Sequence, residues 1–116
     1  MTFKANLLPQ AVDSFCQLAT SFPEPVHLHA HAGSGIVRGH WGGDLTLERV
    51  AAMLKVLTDA ATAAEGNLVL PRCPVPWKRD LPVWGRERGD LWLMRQVKRQ
   101  MDPRNVFNPG RFVGSI

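Results

Sequence analysis

The stretch Val26-His-Leu-His-Ala-His-Ala-Gly-Ser-Gly-Ile-Val-Arg-Gly-His-Trp41 decides the fold. Its apolar residues Val26, Leu28 and Ala30 alternate with His27, His29 and His31, the period of two expected of a strand with one buried face. Gly33-Ser34-Gly35 supplies a tight turn and Ile36–Trp41 resumes extended character, so the segment predicts an antiparallel hairpin that Gly42-Gly43 ends.

Working outward, Thr2–Leu7 alternates loosely and stops at Pro9, as a short strand does, and Pro9 suits a first helical turn. Val12, Phe15, Cys16, Ala19 and Phe22 then recur at spacings of three and four, which predicts a helix closed before Pro23 and Pro25. Beyond the hairpin, Leu47, Val50, Leu54, Leu57, Ala61 and Ala64 mark one stripe of a helix over 46–65. Asp44 or Thr46 is its cap and Gly66 its terminator. Asn67–Leu70, held between Gly66 and Pro71, reads as a fourth strand. The order strand, helix, strand, strand, helix, strand is that of an α+β ferredoxin-like split βαβ unit: an antiparallel four-stranded sheet with two helices on one face.

Residues 71–89 carry six Pro or Gly residues around Trp77 and Trp84 and read as an irregular loop, too aromatic for a flexible linker. Asp90 is placed to cap a last helix in which Leu93, Met94, Val97 and Met101 share a face opposite Arg95, Lys98 and Arg99, and Pro103 ends it. The expected organisation is a ferredoxin-like part over 1–71 and a loop, helix and tail over 72–116.

A chain of 116 residues with 45% apolar content supports one modest core. Its net charge of +4 is unevenly spread: residues 1–71 hold four Lys/Arg against six Asp/Glu, whereas residues 72–116 hold ten against four. No apolar run is long enough to span a bilayer, and the N-terminus lacks the basic and apolar regions of a secretory signal, so a cytoplasmic location is expected. Cys16 and Cys73 stand far apart without a CxxC, which argues against a disulfide framework or a zinc finger.

Chemistry concentrates in two places. On the hairpin, His27, His29 and His31 with His40 form a dense imidazole cluster. Three imidazoles on one strand face suit zinc, but the nearest acids, Glu24 and Asp44, lie at element ends, and no metal is expected. Gly33-Ser34-Gly35 joins two strands instead of opening a helix, so it is a turn and not a phosphate loop, and no nucleophile elbow surrounds Ser34. Arg38 beside several imidazoles is a ready carboxylate-binding group, because its planar fork pairs two oxygens at once. At the C-terminus, Asp102-Pro103 and Asn108-Pro109-Gly110 bracket Val106 and Phe107, and such a pinned tail presents Asn108 and Arg111 in defined directions.

The string Met101-Asp-Pro-Arg-Asn-Val-Phe-Asn-Pro-Gly-Arg111, preceded by its helix, resembles the C-terminal signature of FAD-linked oxidases of the vanillyl-alcohol oxidase type. His29-Ala-His-Ala-Gly-Ser-Gly-Ile-Val-Arg38 resembles the same family's His-x-Gly-Asp-Gly-Asn-x-His hairpin. The two matches occur in the family's order and span most of the chain. The glycolate oxidase type is the most similar branch, with Gly-Ser-Gly in its hairpin and a Trp closing the next strand, as Trp41 does here.

The resemblance implies the C-terminal part of a larger flavoprotein whose FAD-binding domain lies upstream, with residues 1–71 as half of a cap or substrate domain. By position, Asn108 matches the asparagine that approaches the flavin ring and Arg111 the basic residue after Pro-Gly. Oxidation of a small 2-hydroxy acid of the glycolate or lactate kind needs a base for the hydroxyl proton and a cation for the carboxylate. His29 and His31 are the candidate bases, and Arg38 with His40 the candidate substrate-binding groups. In metal-dependent members two hairpin histidines and a downstream Glu hold a divalent ion. Here His31 matches the first, Arg38 replaces the second, and Leu70-Pro-Arg-Cys-Pro74 has no Glu-His pair, so metal-assisted proton abstraction is not expected. Partner subunits of a glycolate-oxidase-type complex are implied, and with them a position at the inner face of the membrane.

Two other classes compete. An RNA-binding ferredoxin-like module would use the basic C-terminal third, but the strands lack the aromatic RNP1 pattern, so no nucleic-acid partner is expected. A small ligand-sensing oligomer would use the sheet face.

Overall fold

A computed structural model describes residues 1–87 and 89–116. The chain divides into two units, Met1–Arg86 and Glu87–Ile116.

In the first unit, β1 (Thr2–Asn6), α1 (Val12–Thr20), β2 (Val26–His31), β3 (Ile36–Trp41), α2 (Leu47–Ala63) and β4 (Asn67–Arg72) follow in that order. The sheet order is β2-β3-β1-β4 and every pairing is antiparallel. This is the ferredoxin-like split βαβ arrangement. The sheet's inward residues are Phe3 and Ala5 on β1, Val37 and Trp41 on β3, and Leu68 and Leu70 on β4. They form one buried cluster with Val12, Phe15 and Ala19 of α1 and Val50, Met53, Leu54, Leu57 and Ala61 of α2. Burial of that apolar surface is what holds helices and sheet together. Phe3 sits at its centre, 4.7 Å from the Trp41 ring and 6.3 Å from the Phe15 ring.

Local signals account for the element ends. The Thr46 hydroxyl accepts from the Arg49 amide and caps α2, so Thr46 and not Asp44 is the cap. At the other end the left-handed residue is Glu65 (φ 54°) instead of Gly66. Glu65 N–H donates to Thr62 O and Gly66 N–H to Ala61 O, the paired bonds of a Schellman ending. The hairpin turn is a short 3-10 segment, Ala32–Ser34, closed by Gly35 at φ 65°. A Cβ on Gly35 would lie 1.8 Å from Leu7 O, so only glycine lets β3 start here.

Two elements differ from the periodicity reading. β4 runs through Pro71 to Arg72, two residues beyond the expected end. It is an edge strand with a register shift against β1, and an edge tolerates a missing N–H. On β2, the other edge, Val26 and Leu28 are only half-buried and Ala30 is exposed. Residues 72–86 stay with the first unit: Leu81 joins its core, Leu70 N–H donates to Val83 O, and Val75–Arg79 forms a 3-10 turn.

The second unit is α3 (Leu91–Met101) and the tail that follows it. Asp90 makes no side-chain cap; its backbone carbonyl accepts from Leu93 and Met94 instead. Leu91 is the buried side chain of α3, with Gly114 against it. The expected apolar face is largely exposed, with Leu93 at 51% and Met101 at 78%. Among the described residues, no helix is long and apolar enough to cross a membrane.

Candidate functional site

The sheet's outer face is built by register. His29 pairs with Arg38, His27 with His40 and His31 with Ile36 across β2 and β3. On the far side of β3, Lys4 pairs with Arg38 and Thr2 with His40, and Arg72 of β4 pairs with Thr2. Cross-strand partners share a face. Their chain neighbours Phe3, Ala5, Val37 and Trp41 are buried, so these residues emerge on the side opposite the helices. All four histidines of the chain therefore stand on one face with Lys4, Arg38 and Arg72, and no strand residue there is acidic. The strand aromatics Phe3 and Trp41 are buried inward, so the strands offer no ring for a base to stack on.

Within this face, His29 Nε2 lies 3.1 Å from His31 Nε2, with the rings 4.9 Å apart. A contact between two ring nitrogens needs one proton donor and one acceptor, so one ring carries its lone pair at Nε2. Thr2 Oγ1 is 3.0 Å from His40 Nδ1, which fixes that ring beside the Arg38 position. Among the described residues, no group of three or more His, Cys, Asp or Glu is placed to hold a metal ion. Cys16 and Cys73 are free, and burial, aided by Asp13, pushes the Cys16 thiol up.

The second unit carries Asn108 and Arg111. Both line a groove of about 660 Å³ together with Leu93, Met94, Val97, Lys98, Phe107, Phe112 and Ile116. The tail is shaped by Asp102, whose nearly buried carboxylate accepts the Val106 and Phe107 amides, each at 2.9 Å, and the Lys98 ammonium. Burial pushes this carboxyl up, but the Lys98 ammonium and the Phe107 and Val106 amides outweigh it and hold it down at about 2. Lys98 also donates to Phe107 O at 2.7 Å, tying α3 to the tail. Asn108 at φ 47° and Gly110 at φ 70° flank Pro109, and Arg111 N–H closes the turn on Asn108 O at 3.2 Å. An asparagine tolerates that left-handed geometry better than most residues.

The structure thus brings His29, His31, Arg38 and His40 onto one surface, and separately brings Asn108 and Arg111 to one groove. Sequence reasoning missed Lys4, Thr2 and Arg72, which join the histidine face through β1 and β4. The alternation of Thr2 and Lys4 with Phe3 and Ala5 was the signal for the first two. It also missed Lys98 and Asp102, whose i,i+4 spacing on the end of α3 was legible as an ion pair. A planar heteroaromatic with polar edges fits the groove's composition, apolar walls with one amide and one guanidinium at the tail. Comparison with protein-family models, curated proteins and solved structures gives no match to this chain.

Proposed function

We propose that this chain is the C-terminal part of an FAD-dependent 2-hydroxy-acid dehydrogenase or oxidase, or of a partner chain in a glycolate-oxidase-type complex. It would work in the cytoplasm, at the inner membrane face through partner subunits. The observation that carries the reading is the pairing of Arg38 with His29 on an acid-free sheet face where His29 and His31 touch. Arg38 has the fork to hold a carboxylate. A carboxylate held there would bring the substrate's adjacent hydroxyl within reach of an imidazole nitrogen that bears a lone pair, a group suited to take the hydroxyl proton. His40, fixed by Thr2, bounds the same surface. FAD, when bound, accepts the hydride. Asn108 and Arg111 are the residues that would hold its ring, and the Asp102 clasp would keep their turn in place.

The test titrates the chain with glycolate and, separately, with FAD, followed by NMR. Glycolate is expected to shift the His29 and His31 ring signals, and Arg38→Gln to weaken binding about tenfold, the worth of a charge-assisted hydrogen bond. FAD is expected to shift Asn108, Phe107 and Arg111, and Asn108→Ala to weaken that response. No response to either ligand refutes the reading.

A further inference from the structure

Lys4, Arg38 and His29 stand side by side on β1, β3 and β2 as successive cross-strand partners. Neighbouring strands lie about 4.8 Å apart, so these groups form a row about 10 Å long with Arg38 at its centre. The buried neighbours Phe3 and Ala5 turn Lys4 to the same open face. The ion pairs among the described residues are Glu24–Arg49, Lys55–Asp59 and Lys98–Asp102, and none involves Lys4 or Arg38. Two permanent cations directly opposite each other on a sheet repel, and among the described residues no carboxylate pairs with either to offset them. A single carboxylate clamped by Arg38 would neutralise one charge and leave Lys4 bare. Two anionic groups about 4–5 Å apart would neutralise both, a separation spanned by three or four carbon–carbon bonds of about 1.5 Å.

Resting on the reading of this face as a hydroxy-acid site, we propose that its ligand is a 2-hydroxy acid carrying a second anionic group, held by Lys4 while Arg38 holds the first carboxylate. The second group is a carboxylate or a phosphate, since a lysine ammonium pairs with either as a point charge. A bare monocarboxylate then uses only half of the site.

The experiment measures affinities of the full chain for glycolate, malate and 3-phosphoglycerate by NMR titration at constant ionic strength. At least one of the two dianions is expected to bind about tenfold or more tightly than glycolate. Which one does so separates a second carboxylate from a phosphate. Lys4→Gln should abolish that preference while leaving glycolate affinity within about twofold, Lys4→Arg should retain it, and Arg38→Gln should weaken all three. If both dianions bind no tighter than glycolate, or if the preference survives Lys4→Gln in a chain whose spectrum is native, the second subsite is refuted and the hydroxy-acid reading stands. If none of the three ligands binds, both fail.

Discussion

Gly39 lies between Arg38 and His40 on β3, and its missing side chain is what lets both stand where they do. An ideal Cβ at Gly39 would fall 2.1 and 2.2 Å from two ring carbons of Phe3. Ordinary contact begins near 3.4 Å, so Gly39→Ala would require the ring to retreat by about 1.3 Å. Phe3 has no exposed surface and is backed by Trp41 and Phe15, so the ring has no free space to enter. Overpacking a core of this kind costs about 1–3 kcal/mol, and the tightness of the clash argues for the upper end. Alanine recovers about 0.5–1 kcal/mol over glycine within a strand. The net loss is then about 2 kcal/mol, or about 8–16 °C in Tm for a unit of this size. Thermal and urea unfolding of Gly39→Ala, Phe3→Leu and the double variant would measure it. In the double variant the shortened side chain vacates the clash, so the two changes together should cost at least about 1 kcal/mol less than their sum. An unchanged Tm for Gly39→Ala, or strict additivity, would refute the packing argument.

Two further outcomes follow from local geometry. The Asp102 carboxyl is held at about 2, below its ordinary 3.8, so its ionised form favours the folded turn above pH 3.8 and that contribution is lost as pH falls through about 2. The Val106 and Phe107 amide signals should titrate with that low midpoint and be displaced at neutral pH in Asp102→Asn; a midpoint near 3.8 would mean that the clasp does not form. Thr46→Ala should cost about 0.5–1 kcal/mol in urea unfolding, the low end for a cap because its bond to Arg49 N is 3.3 Å long. An unchanged urea midpoint would show that the hydroxyl contributes nothing to the start of α2.

Much of the ferredoxin-like unit was legible because burial imposes a period on each element. Val12, Phe15 and Ala19 on α1, and Val50, Leu54, Leu57 and Ala61 on α2, recur as a helix facing a sheet must, and all are buried. Thr46 and the Gly33–Gly35 turn gave the ends. The extension of β4 through Pro71 was hidden, because whether a proline is tolerated depends on which strand lies at the edge, and that is a property of the sheet. The exposure of Leu93, Val97 and Met101 was hidden for a related reason: an amphipathic period records that a face is apolar, not what lies against it.

The candidate site divides along the same line. Alternation along β2 and β3 by itself determined that His27, His29 and His31 share a face, as do Arg38 and His40, since successive side chains of any strand point to opposite sides. Proline and glycine determined that the tail turns at Asn108. Which residues meet across strands depends on register, and register is fixed by how the inward side chains pack. Only the tertiary structure could therefore set Lys4 and His29 on either side of Arg38 and bring Arg72 to the same face. It alone makes that face basic although residues 1–71 carry net negative charge, because strand pairing gathers Lys4, Arg38 and the histidines while the acidic residues of this stretch lie on the helices and loops.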